Sequence, residues 1–269
     1  MSPAAVALGL SLAAARGGIA QVLELRLRDD STRAPLVGAI VRLIRDDATL
    51  LQGLTDETGR ISLRAPGAGL YRLRIDRIGW SGTLTSPLAL AADETLRREL
   101  FLSSTRMTLP TLEAHGETVC AVQGREGSLA AALWEEIRKA LTANYLTLSQ
   151  GTIPIRIQTF ERQVALTGLV QDEWVTGSGV VRTQPFGALP PELLAKRGFV
   201  FEANGSMTFA GPDAVLLLSD QFVQTHCFHA VSGADELVGL AFEPVPRRKV
   251  PDVRGTLWVS RATSELQFL

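Results

Sequence analysis

Val22-Leu23-Glu24-Leu25-Arg26-Leu27-Arg28 alternates apolar and charged side chains without a break. A period of two sends one set to each face of a strand, so the stretch reads as a half-buried β-strand. The same pattern returns in Ala39-Ile40-Val41-Arg42-Leu43-Ile44, in Arg60-Ile61-Ser62-Leu63-Arg64 and in Tyr71-Arg72-Leu73-Arg74-Ile75. Gly82 to Ala89 and Thr95 to Leu102 are two further strand candidates. Between them lie Asp29-Asp30-Ser31-Thr32, Asp56-Glu57-Thr58-Gly59 and Pro66-Gly67-Ala68-Gly69, all turn chemistry. Short strands at this spacing predict a small antiparallel β-sandwich over residues 21–102.

The chain around that stretch has 269 residues, of which 46% are hydrophobic and 20% charged, enough to bury a core in each of two domains. Its 27 basic and 28 acidic side chains leave a formal charge of −1. With no charge excess and no basic block, nothing is there to hold a phosphate backbone, and nucleic acid is excluded as a partner. Ala4 to Ala15 is an apolar run too short to span a bilayer, and Gly18-Ile19-Ala20 offers a small-x-small cleavage site before Gln21. Residues 1–20 are therefore expected to be a signal peptide, which places the protein in the periplasm or outside the cell. No Lys or Arg precedes the run, and an apolar core helix is the alternative reading. No other run reaches spanning length, so the mature chain is not expected to cross a membrane.

Two cysteines, Cys120 and Cys227, are present. An even count in an exported chain points to a disulfide, with two buried thiols as the alternative.

Residues 103–115 lack periodicity, contain Pro110 and read as a linker. Residues 116–269 then read as an α+β domain. Ser128 suits the N-cap of a helix over Leu129 to Ala143. Leu129, Leu133, Ile137 and Leu141 form its apolar stripe, widened by Ala130, Trp134 and Ala140. Glu135, Glu136, Arg138 and Lys139 fall on the other side, with Glu135 and Arg138 assigned to solvent. Strands are expected over Ile153 to Glu161, Gln163 to Val175, Phe199 to Glu202, Ala214 to Leu218, Phe228 to Val231, Leu237 to Phe242, Gly255 to Ser260 and Glu265 to Leu269. Short helices are expected over Pro191 to Arg197 and Asp220 to His226. The fold class is thus mostly β, α+β: a seven-stranded antiparallel sandwich, then a curved antiparallel sheet packed with one main helix.

The order of motifs in the first domain is more specific than its pattern. Pro35-Leu36-Val37-Gly38-Ala39 enters a strand, and Thr55-Asp56-Glu57-Thr58-Gly59-Arg60 turns into the next. Pro66-Gly67-Ala68-Gly69-Leu70-Tyr71-Arg72-Leu73 and Ile78-Gly79-Trp80 follow. In this order the segment resembles the carboxypeptidase regulatory-like domain, a transthyretin-like sandwich. The resemblance implies a spacing or ligand-presenting module without catalytic residues, in some members credited with carbohydrate binding. The second half resembles a group of uncharacterised exported proteins, through Leu133 to Leu141, Ser219-Asp220-Gln221-Phe222, His226-Cys227-Phe228, Gly239 to Pro244 and Gly255 to Val259. More distantly its last strands are similar to lipoprotein-carrier half-barrels.

Few residues carry chemistry. Trp80, beside a glycine in a loop, is a ligand-contact candidate that could stack on a sugar ring, or it caps the end of the sandwich. Trp134 is a second ligand-contact candidate. His115, His226 and His229 are the only candidates for metal ligation, and His226 and His229 fall on opposite faces of a strand, so no metal and no cofactor is expected. The first domain has no histidine with which a metallocarboxypeptidase would hold zinc. Gly177-Ser178-Gly179 is not a nucleophile elbow and is assigned to a loop. Asp172-Glu173-Trp174 is the nearest approach to a carboxylate pair and reads as a solvated strand end. These residues predict a non-catalytic binding or scaffolding protein whose partner is an envelope component, a glycan or a lipid. A carrier of lipid or another apolar ligand is the alternative, and a secreted hydrolase comes third.

Overall fold

In the computed structural model, β1 (Gln21–Asp29) turns Leu23, Leu25 and Leu27 inward and Glu24, Arg26 and Arg28 outward along its whole length. Described are residues 21–103, 118–120 and 129–269, without 152, 166, 185, 186, 188, 204, 205 and 235, and of 119, 164, 203 and 206 only the backbone. The signal segment, His115, the cap at Ser128 and all but Ser103 of the expected linker lie outside them. No helix among the described residues is long and apolar enough to cross a membrane.

Two sheets make the sandwich. β4 (Arg60–Ala65) and β8 (Thr95–Leu102) flank β1 in the first. The second has the order β3-β2-β5-β6, from Ala48–Leu54, Ile40–Arg45, Gly69–Asp76 and Thr83–Leu84, with β7 (Leu88–Leu90) also on β5. Leu23, Leu25 and Leu27 meet Val41, Leu43, Tyr71 and Leu73 in a closed apolar core. One pairing departs from the antiparallel pattern: β8 runs parallel to β1, from Val22 opposite Thr95 to Asp29 opposite Leu102. The candidate strand over Gly82 to Ala89 is two fragments. β3 has no counterpart in the sequence reading. Leu50-Leu51 breaks the alternation there, and the turn before it is made by Asp46 and Asp47, both at positive φ (51° and 61°).

After β9 (Val119–Cys120) comes α1 (Leu129–Ser149), six residues longer than the expected helix. It lies on a five-stranded sheet of order β17-β16-β15-β14-β9, whose strands β14 (His226–Ser232), β15 (Leu237–Pro244), β16 (Gly255–Ser260) and β17 (Leu266–Phe268) follow it in the chain. Leu133, Trp134 and Ile137 pack on Phe228, Leu240 and Leu257, and the Trp134 and Phe228 rings stand 5.5 Å apart. The core is filled around these residues, and a cleft opens only farther along α1, at Leu141 and Asn144 beside Leu257 and Leu266. α2 (Pro191–Arg197), α3 (Ala214–Leu217) and α4 (Asp220–Thr225) close the same core through Leu194, Leu216, Leu217 and Phe222.

Three local readings are corrected. The expected strand over Ala214 to Leu218 is instead a helix at Ala214–Leu217, because Asp213 accepts the Leu216 N–H at 2.8 Å and starts a turn of helix. Gly177-Ser178-Gly179 lies within β11 (Val170–Val181), not in a loop. The turn joining β11 to β10 (Ile155–Val164) falls at Ala165 to Leu169, beyond the position expected, with Gly168 at φ 84°. Among the described residues these two strands pair only with each other and leave Phe160, Trp174, Val175 and Val180 exposed. β12 (Val200–Ala203) and β13 (Ser206–Phe209) form a second, shorter hairpin.

Candidate functional site

The sandwich and α1 meet through polar groups. Glu136 and Lys139 sit on the side of α1 away from its apolar stripe, yet both are buried. Lys139 Nζ donates to Glu136 Oε1 at 2.6 Å and to the Trp80 carbonyl at 2.7 Å, and the Gly79 N–H donates to Glu136 Oε2 at 2.7 Å. Gly79 adopts φ 75°, and a Cβ there would stand 3.1 Å from the Thr263 carbonyl oxygen, so glycine suits both the conformation and the space. Beneath this loop Asp76 is fully buried between Arg42 and Arg74. Arg138 reaches Glu135 at 2.6 Å and is largely covered rather than exposed as expected.

A groove lies on the outer face of β4-β1-β8. Register dictates its floor. Ser62, Glu24 and Arg97 form one row across the three strands, and Arg60, Arg26 and Glu99 the next. Arg97 pairs with Glu24 at 2.7 Å and Arg28 with Glu99 at 2.6 Å. Leu54, Ile61 and Gln150, the last just past the end of α1, complete a groove of 880 Å³. Gly53 lets this side of the groove close up: a Cβ there would lie 2.9 Å from Ile61 Cδ1 and 3.8 Å from Gln150 Nε2. At the groove's end Asp56 Oδ1 accepts from the N–H groups of Arg60 (2.9 Å) and Thr58 (2.8 Å) and from the Thr58 hydroxyl. The Arg60 N–H, then the Thr58 hydroxyl, hold that carboxyl below the ordinary range, so it stays ionised.

The residues singled out from sequence are dispersed. Trp134 is 2% exposed and has no surface to offer a ligand. Trp80 is half-buried against the sandwich core, with the Arg77 guanidinium 4.4 Å over its ring. A disulfide joins Cys120 and Cys227, which are directly opposite on β9 and β14. His226 is fully buried. Its Nε2 is 3.2 Å from Asp252 Oδ1, its Nδ1 3.0 Å from the Phe222 carbonyl, and its ring stacks on Phe222 at 4.0 Å. Arg248 pairs with Asp252 and donates to the carbonyls of Ala195 (2.7 Å) and Leu194 (3.1 Å) at the end of α2. This network ties α2, α4 and β14 together and is closed to substrate. His229 faces the other side of the sheet, its Nδ1 buried without a partner. No group of three metal-ligating side chains occurs among the described residues. Glu173 is paired with Arg162 across the β10–β11 hairpin, which also leaves Trp174 exposed.

The groove residues were not singled out from sequence. Glu24, Arg26, Arg60, Ser62, Arg97 and Glu99 are ordinary polar positions on their strands, and only the register brings them into two adjacent rows. No family model matches the chain, and no curated protein matches it. Among solved structures it is similar to 5-hydroxyisourate hydrolase of Klebsiella pneumoniae, 21% identical over 31% of this chain and 85% of that one, TM-score 0.26. It is similar to BcpA, the major pilin subunit of Bacillus cereus, 18% identical over 32% of this chain and 30% of that one, TM-score 0.26. A streptococcal ancillary pilin is 12% identical over 87% of this chain and 61% of that one, TM-score 0.27. Likenesses this slight carry no argument, and function rests on the side chains.

Proposed function

We propose that the chain is a non-catalytic binding and scaffolding protein of the cell envelope, periplasmic or secreted. In this reading residues 21–102 are a carboxypeptidase regulatory-like module docked on the α+β unit of residues 116–269. The observation that carries it is the 880 Å³ groove on the sandwich, lined by guanidinium, carboxylate, hydroxyl and amide groups together with Leu25, Leu54 and Ile61. Such a lining suits a polar, hydroxyl-rich partner such as a glycan, held by many hydrogen bonds. The filled core under α1 supports the scaffold over a carrier that would enclose an acyl chain there, and the Cys120–Cys227 bridge supports an oxidising compartment.

The carrier reading has a different address. A cleft of 520 Å³ beside α1 is lined by Ile78, Leu141, Leu217, Leu257 and Leu266, with Asn144 and Glu265 among its polar residues. Amide chemical shifts of the labelled protein, titrated with neutral and acidic oligosaccharides and with short-chain phospholipid, separate the two. Shifts confined to Glu24, Arg26, Ser62 and Arg97 support the scaffold, and shifts confined to the cleft overturn it in favour of the carrier.

A further inference from the structure

Arg26 and Arg60 stand directly opposite each other on β1 and β4, both on the outer face. Like charges facing each other across a strand pair repel, and the row supplies one carboxylate, Glu99, to two facing guanidinium groups. The neighbouring carboxylates are shared with other arginines, and only Glu99 reaches Arg26, at long range. Glu24 is 2.7 Å from Arg97, and Glu99 makes its short contact with Arg28 at 2.6 Å, leaving Arg26 Nε 3.8 Å away. Arg26 Nε is buried and has no hydrogen-bond acceptor, the one guanidinium nitrogen of which this holds among the described residues. Buried donors without acceptors are rare, and each calls for a reason. Among the described residues Arg60 forms no ion pair within 4.0 Å, and Asp56 Oδ1 is bound to the turn backbone and to the Thr58 hydroxyl. The described lining totals four arginines (26, 60, 97, 98) against three acids (Glu24, Asp56, Glu99), a net charge of +1 on an otherwise near-neutral chain.

We propose that Arg26 and Arg60 together bind an oxyanion, the carboxylate of a uronic-acid unit in an acidic glycan lying along the groove. A planar carboxylate placed between two guanidinium forks accepts charge-assisted hydrogen bonds from the exposed parts of both. Ser62 and Gln150 then stand in the same groove as hydrogen-bonding groups for the sugar hydroxyls. This assignment rests on the groove being the binding surface and adds the chemical class of what it takes.

The test is calorimetry and amide-shift titration of the full chain with three probes: trigalacturonate, maltotriose as a neutral trisaccharide, and inorganic phosphate. Trigalacturonate is expected to bind in the groove, and Arg26→Gln or Arg60→Gln to weaken it about tenfold or more. Binding should fall as salt is raised from 0.05 to 0.5 M, and maltotriose should bind more weakly and ignore both substitutions. Phosphate binding as tightly as trigalacturonate, with the same loss in both variants, would support the oxyanion pair with free phosphate as its occupant. Maltotriose binding in the groove while trigalacturonate does not would overturn the oxyanion site and leave the groove reading standing. No shift in the groove with any probe would sink both. Melting temperature keeps the variants honest: relieving the repulsion should leave Arg60→Gln at least as stable as the parent, and a fall of several degrees would show that the pair is structural.

Discussion

Glu136 and Lys139, one turn apart on α1, form an ion pair at 2.6 Å with neither side chain reaching solvent. Each also holds a backbone group of the sandwich, Glu136 the Gly79 N–H and Lys139 the Trp80 carbonyl. Lys139→Met would leave a buried carboxylate without its counter-charge, and should cost about 3–5 kcal/mol in urea unfolding. The double variant Glu136→Leu/Lys139→Met should lose less than the sum of the two single changes. Additive losses would mean that the pair is not coupled.

Ile137 is fully buried between α1 and the sheet. Ile137→Ala should cost about 2–5 kcal/mol, as emptying a packed site does. Since no ligand space lies there, prior delipidation should not change the loss. Trp134 fluorescence follows the transition, and a melting temperature equal to the parent's would remove α1 from the core.

Burial raises the Asp252 carboxyl, but hydrogen bonds from His226 and Arg248 outweigh it and hold the group below the ordinary carboxylate range. The folded value therefore lies under the unfolded one of about 3.9, so Asp252 adds stability above that pH. That contribution is lost as pH falls through the folded value. Asp252→Asn should be less stable than the parent at pH 7, and the gap should close in acid. Parallel stability–pH curves for the two proteins would contradict the linkage.

Cys120 and Cys227 are 107 positions apart in sequence. Closing so long a loop is worth about 4–5 kcal/mol in the chain-entropy treatment, an upper value. The denatured, unreduced protein should show no free thiol by Ellman titration, and reduction should lower its unfolding midpoint. Two titratable thiols would refute the bridge.

What the sequence made legible was local. The alternation of Val22 to Arg28 gave β1 because every second side chain is buried, and Pro191 with Gly198 bounded α2 to the residue. Leu50-Leu51 hid β3 because its apolar residues are adjacent rather than alternate. The charge of Glu136 and Lys139 hid their burial, since a helix pattern shows that a face is polar but not whether a second domain's backbone covers it. The meeting of Arg26 with Arg60, and of Glu24 with Arg97, depends on pairings 34 and 73 positions apart that no local pattern encodes.

The central place of β1 in its sheet also fixes an order of events. It is the first described strand of the sandwich, but both its neighbours come later, and the parallel one ends at Leu102, about 70 residues after β1 itself. At synthesis rates of roughly 5–20 residues per second, β1 waits on the order of 4–15 s for its last edge to exist. The first described strand is thus among the last to be flanked on both sides, and this sheet closes only after the β2-β3 hairpin of the other has been made.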